Sequence, residues 1–335
     1  EIRYALNNLV RVIESDQQIN DKLVGALREK IRNDYRYDEK SVLLELFQNA
    51  DDAVVELEEL GDRNRYSEIS KTVKIIIDKK SLGLIHWGRM INEDRVRLHG
   101  GSHQGYQEDL WKMLSFGISD KRHHKASVTG KFGLGFKSVF LITGEPRVLS
   151  GRLAFRIVSG FLPQRLTQEA IGRLQDDLGD AGQGSHLRTV ISLPFTLPDS
   201  AERARLAVDS FVESLPFLLG FSRRITRCVV VDLGQTTLAE WHETRLGVDR
   251  SRDVVRSDPA ISVGQVSGLS GNVPRLLLLR GGDSGSMAFR LGTRGIERIA
   301  DEVPSIWVTA PTQERARLGF VMNGPWRLDV GRAQL

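Results

Sequence analysis

The segment SVLLELFQNADDAVVEL, residues 41–57, constrains the chain most. Its apolar residues Val42, Leu43, Leu46, Phe47, Ala50, Ala53, Val54 and Leu57 recur at intervals of three and four. That is the period of a helix with one face buried in a core. Glu45, Asn49 and Asp52 follow one another at i, i+4 and i+7, so they project along a single stripe of the same helix. A carboxylate and a carboxamide one turn apart can serve one small polar site. Glu45 is suited to take a proton from water, and the Asn49 carbonyl oxygen to hold a hard cation such as magnesium. Taken alone, the triplet reads first as the solvated face of an amphipathic helix.

Two later segments change that weighting. Gly83 and Gly88 flank the run LGLIHWG, and FGISDK…TGKFGLGFKSVF spans residues 116–140. In the second, Thr129 is followed by Gly130, Lys131, Phe132, Gly133, Leu134, Gly135 and Phe136, directly before the apolar run FKSVFLI. Glycines two apart ahead of a helix leave backbone N–H groups open, and such groups cradle phosphate oxygens. A glycine-rich turn by itself is not specific. The spacing is neither a Walker loop nor a Rossmann turn.

ELFQNADDA resembles the first nucleotide-binding box of the Bergerat-fold (GHKL) ATPases, the superfamily of gyrase B subunits, heat-shock chaperones, histidine kinases and mismatch-repair ATPases. Its wording is closest to the sacsin-type, chaperone-like branch, and the other two segments take the family's order across about a third of the chain. The resemblance implies ATP with magnesium bound between the Ser41 helix and a sheet, under a lid of about residues 99–130 that includes Ser119 and Lys121. Glu45 would orient and deprotonate the attacking water, and Asn49 would coordinate magnesium. Asp52, beside Ala53, would bind through water or hold the helix. Amides from Gly130 to Phe136 would hold phosphates. Thr189, in the strand-like run LRTVISLPF, matches a threonine on the adenine side, although Arg188 replaces the usual glycine before it. In the closing segment NGPWRLDVGRAQL, Arg332 matches an arginine that reaches the γ-phosphate from the following domain.

The second box departs from the family. His86 stands where an aspartate accepts the adenine amino group, Trp87 follows, Gly88 is retained, and the next glycine is missing in the stretch that contains Met90. A neutral imidazole can accept one hydrogen bond, more weakly than a carboxylate. The competing reading is that His86 and Trp87 end a buried strand beside a degenerate pocket.

The 335-residue length suggests two domains on a soft prior of roughly 150 residues each. The expected fold is α+β: a two-layer α/β sandwich over residues 1–198, then a smaller α+β domain of the middle or transducer kind over 199–335. Residues 1–36 read as helical, 71–78 and 81–88 as a hairpin, 145–161 as two strands, and 163–185 as helix and then loop. A net charge of +4 does not argue for nucleic acid. Among Arg223, Arg224 and Arg227, a solvated edge is expected. One cysteine, Cys228 in an apolar run, excludes an intrachain disulfide and suits the cytoplasm. His99, His103, His123 and His124 lack zinc-site spacing. No membrane span is expected. The chain begins at Glu1 and stops in mid-pattern, which reads as part of a larger protein.

The function expected is an ATP-hydrolysing, chaperone-like module that couples nucleotide state to lid closure. Its partners would be ATP or ADP, a second copy in a homodimer, and a protein client or the rest of a longer polypeptide. The alternatives are a nucleotide-binding switch without hydrolysis, which His86 favours, and a DNA-acting ATPase, which the QNADDA wording disfavours. DNA stimulation of turnover would single out the latter.

Overall fold

A computed structural model describes residues 2–60, 69–93, 108–115, 135–177, 187–246, 260–281, 285–308, 310–314 and 316–326. Helix α1 (Ile2–Ser15) and helix α2 (Gln17–Asn33) are separated by Asp16, whose carboxylate accepts the Gln18 and Ile19 N–H groups and caps α2. The QNADDA helix, α3 (Ser41–Glu59), buries Val42, Leu43, Leu46, Phe47, Ala50, Val54 and Leu57 almost completely. Strands β1 (Thr72–Ile77) and β2 (Ser81–His86) form the expected hairpin. Asp78 closes its turn by accepting the N–H groups of Lys80 at 2.6 Å and Ser81 at 2.7 Å.

Helix α4 (Asp109–Leu114) lies in the expected lid stretch. The segment after the glycine-rich turn, expected as a helix, is a 3₁₀-helix over Gly135–Leu141 whose residues from Phe136 onward are buried. Strands β3 (Arg147–Ser150) and β4 (Leu153–Val158) meet at Gly151, as expected. A short strand not read from the sequence, β5 (Leu162–Arg165), precedes helix α5 (Gln168–Asp177) and strand β6 (Thr189–Pro194). Its residues alternate between half-buried and exposed, and it contains Pro163, which suits a sheet edge.

Helix α6 (Ser200–Phe221) follows, with Pro216 inside it. Then come β7 (Arg227–Asp232), β8 (Gln235–Arg245), β9 (Ala260–Ser267), β10 (Arg275–Arg280), β11 (Ser286–Gly292) and β12 (Gly295–Glu297). Three short strands, β13 (Ile306–Val308), β14 (Ala310–Pro311) and β15 (Val321–Asn323), complete the set. The strands lie in the order β14-β13-β15-β11-β10-β9-β8-β7-β1-β2-β6-β3-β4-β5, with β12 on β11. The fold is therefore α+β with one mixed sheet. The boundary expected at 198/199 falls between β6 and α6, and the sheet runs on across it, with β7 parallel to β1.

Period-two alternation sorts the side chains of the β2 region to two faces. Leu82 and Leu84 join the main core with α2, α3 and α6, whereas Ile85 and Trp87 join a smaller cluster under α5 with Leu166 and Leu174. Helix α6 ties the halves together. Its Phe211 ring lies 5.7 Å from Phe47 of α3, and Phe217 and Phe221 lie 5.6 and 5.8 Å from Trp307 of β13. Deleting a buried ring such as Phe47 costs ~3–5 kcal/mol in comparable cores. Among the described residues, no helix is long and apolar enough to cross a membrane.

Candidate functional site

Helix α3 presents its polar residues very unequally. Asn49 is exposed, whereas Glu45 and Asp52 are buried at 6 % and 8 % exposure. The Glu45 carboxylate lies against Gly135, in the space that a β-carbon there would occupy. The first box and the end of the third thus meet at one carboxylate. Beside it is a cavity of about 20 Å³, lined by Tyr37, Ser41, Glu45, Pro311 and Gln313. That is room for one water molecule. Gln313 closes it from the C-terminal half and donates to the Arg36 carbonyl at 2.6 Å.

The second box packs on the C-terminal half of α3. A β-carbon on Gly88 would lie 2.7 Å from the Ala53 carbonyl carbon, so only glycine allows this approach. The Arg89 N–H donates to the Ala53 carbonyl at 2.8 Å. Met90 places its sulfur over Gly151, and the Ile91 N–H donates to Ser150 Oγ at 2.9 Å. His86 stands directly opposite Thr189 in the β2–β6 pair, and Thr189 opposite Ser150 in the β6–β3 pair. All three side chains therefore share the α3 face of the sheet, and the two hydroxyls are 2.7 Å apart.

His86 is buried at 6 % exposure, and its Nδ1 accepts the Gly88 N–H at 3.2 Å. Burial, with the Arg89 charge second, pushes its imidazole down to about 4. The ring is neutral at pH 7. With Nδ1 accepting from the backbone, a neutral ring carries its proton on Nε2.

Asp52 forms an ion pair with Arg223, which joins the helix to the segment before β7. Its neighbour Asp51 is wholly buried and accepts from Ser222 Oγ at 2.6 Å and from the N–H groups of Arg223, Arg224 and Ile225 at 2.9, 2.9 and 3.0 Å. The arginine cluster expected as a solvated edge is half-exposed, and its members are paired with carboxylates. Arg224 meets Glu58 at 2.5 Å, and Arg227 meets Glu240 at 2.7 Å.

Arg89 and Lys137 are the residues that sequence reasoning missed. Arg89 is buried at 7 % exposure between Glu56, 2.7 Å from Nε, and Asp109, 2.6 Å from Nη1. Burial alone would lower its guanidinium, but the two carboxylates outweigh that and hold it above its ordinary value. Lys137 is wholly buried and donates to the carbonyls of Leu114 at 3.0 Å and Gly160 at 2.9 Å. Burial pushes its ammonium down to about 8. Both residues tie α4 to the body. Neither is marked by spacing or composition.

The structure thus brings together Glu45 with Gly135, and Ala53, Gly88, Met90, His86 and Thr189 around the other end of α3. Phe136 turns into the core. Ser119, Lys121, Gly130, Lys131, Phe132, Gly133, Leu134 and Arg332 lie outside the described residues, as do His99, His103, His123 and His124.

Residues 20–164 match the family model described as the Sacsin domain. The matched stretch runs from α2 into β5, contains all three boxes, and supports a sacsin-type family. No curated protein matches the sequence.

Proposed function

We propose that the chain is a nucleotide-binding, triphosphate-hydrolysing module of a chaperone-like protein, with ATP and magnesium as the ligands that the resemblance implies. The contact between Glu45 and Gly135 carries this reading. It places a carboxylate beside the last glycine of a turn suited to phosphates, next to a cavity that admits one water. Asn49 fits a hard cation, because it is exposed one helical turn beyond Glu45 and carries an amide oxygen. When bound, magnesium neutralises charge on the phosphates.

The residues of the chain divide the work. Glu45 orients a water and takes its proton as the water oxygen attacks the γ-phosphorus and the bond to the bridging oxygen breaks. Amides of the glycine-rich turn stabilise charge that develops on the transferred group. Arg332 acts on the same charge, and lid closure couples turnover to conformational change. The test is phosphate release from ATP by the wild type and by Glu45→Ala. Loss of a general base costs roughly 100- to 10,000-fold, with nucleotide affinity kept. Equal turnover in the two removes Glu45 from the mechanism. A switch that binds nucleotide without hydrolysis is the second reading, favoured by His86 in place of a carboxylate. Tight binding without phosphate release would select it.

A further inference from the structure

Resting on the reading of Glu45 as the base, we propose that Arg203 of α6 is a positioning residue that sets the Glu45–Gly135 contact from outside the pocket. The carboxylate and the glycine belong to two elements, α3 and the 3₁₀-helix, so their contact depends on how those elements are held together. Arg203 is bonded to both. Its Nη1 donates at 2.9 Å to the carbonyl of Leu141, the last residue of the 3₁₀-helix that Gly135 begins. Its Nε lies 3.5 Å from Oε1 of Glu39, just ahead of α3, and the Glu39 carbonyl accepts the Val42 N–H of that helix at 3.2 Å. Asp199 pairs with Nη2. One planar fork thus meets three partners at once.

The rest of the junction is built the same way. The carbonyls on either side of Leu141, those of Phe140 and Ile142, accept from Arg28 Nε of α2 at 2.6 Å and from Ser200 Oγ of α6 at 2.5 Å. The last carbonyls of a helix have no partner within it, and these side chains supply one to each. Arg203 does more than cap, because it also holds Glu39, and Arg32 of α2 pairs with the same Glu39 oxygen. Helix α6 opens the C-terminal half of the chain. A shift of its first turn would carry Arg203 with it and change the spacing of base and glycine.

Phosphate release from ATP with magnesium, measured beside thermal unfolding, tests this on the full chain. Arg203→Met should lower kcat about 10- to 100-fold and leave KM unchanged, because misplacing the reacting group slows the chemical step without weakening binding. Arg203→Lys keeps a charge for Glu39 but not the fork, and should recover part of the loss. Arg205→Met, which breaks a pair with Asp232 on the same helix, should turn over like the wild type. The deciding readout is the Glu45→Ala background, followed in single turnovers. There Arg203→Met should cause no further loss, because it acts through the missing carboxylate, whereas its effect on the unfolding midpoint should persist. If Arg203→Met does not fold, Arg203→Lys is carried through the same comparison. Unchanged turnover, an equal loss in both backgrounds, or an equal loss in Arg205→Met overturns the inference and leaves the base standing. A Glu45→Ala protein as active as the wild type, or a wild type that releases no phosphate, removes the base itself, and the inference falls with it.

Discussion

Glu45 and Gly135, far apart in sequence, are in contact: the carboxylate fills the volume that a side chain on the glycine would require. A methyl group there must push aside either the backbone or the end of the glutamate, and the glutamate end moves more easily. Gly135→Ala should therefore displace the carboxylate and leave the fold standing, at a stability cost of ~1–3 kcal/mol for overpacking. Misplacing a reacting group by an ångström slows catalysis about 100-fold. Phosphate release measured beside thermal unfolding separates the two effects. A folded Gly135→Ala protein that turns over at the wild-type rate would show that the position of this carboxylate is irrelevant.

Asp51 should matter more for stability than its exposed neighbour Asn49. Its Oδ1 accepts three hydrogen bonds, from Ser222 Oγ, Arg224 N–H and Ile225 N–H, while Oδ2 accepts the Arg223 N–H. Asp51→Asn turns one of these oxygens into a donor that faces another donor. The expected loss is ~2–4 kcal/mol in urea unfolding, against about 1 for Ser222→Ala, which deletes one hydroxyl partner. Equal losses from the two variants would mean that the carboxylate does not organise this corner.

Much of the architecture around α3 was legible because it rests on local signals. The three-four periodicity marked the helix, β-rich runs marked β1 and β2, and alternation marked β6. Long-range pairing was not legible. Nothing in the run RRITRCVVVDL says that β7 lies beside β1, nor that Arg223 reaches back to Asp52. The 3₁₀-helix at Gly135–Leu141 was read as an ordinary helix because apolar residues in so short a run fit both periods. His86 was placed correctly at the end of its strand. Its hydrogen-bonding role depended on a backbone N–H two residues away, which only the turn geometry reveals.

The buried imidazole gives the fold a pH dependence of definite sign. The folded state holds His86 at about 4, below its ordinary 6.5, so between these values the unfolded chain binds more protons than the folded one. Stability from this residue is complete above about pH 6.5 and is lost as the pH falls toward 4. His86→Asn keeps an acceptor for the Gly88 N–H and removes the titration. Its unfolding midpoint, compared with wild type at pH 7.5 and pH 5, should fall less over that interval. Parallel pH profiles of the two proteins would show that His86 is not the titrating group.

Arg89 is the joint between three elements. Its Nε meets Glu56 of α3 at 2.7 Å, its Nη1 meets Asp109 of α4 at 2.6 Å, and its own N–H caps the Ala53 carbonyl. Asp109 Oδ2 also accepts the Asn92 N–H at 2.9 Å, and Asn92 Oδ1 accepts the Leu110 N–H at 2.9 Å. Removing one partner of a buried ion pair leaves the other charges uncompensated, so Arg89→Met should destabilise by ~3–5 kcal/mol. Arg89→Lys keeps the charge but not the fork that serves two carboxylates at once, and should recover only part of that loss. The effect should also be local. If Arg89 clamps α4, the amide of Leu110 should exchange with solvent faster in Arg89→Lys than in the wild type. Amides of β1, held in the sheet between β2 and β7, should keep their rates. Adding Asp109→Asn to Arg89→Met removes a charge that has lost its partner, so the double variant should be more stable than Arg89→Met alone. A double variant whose losses simply add would mean that the two groups are not coupled and that the clamp lies elsewhere.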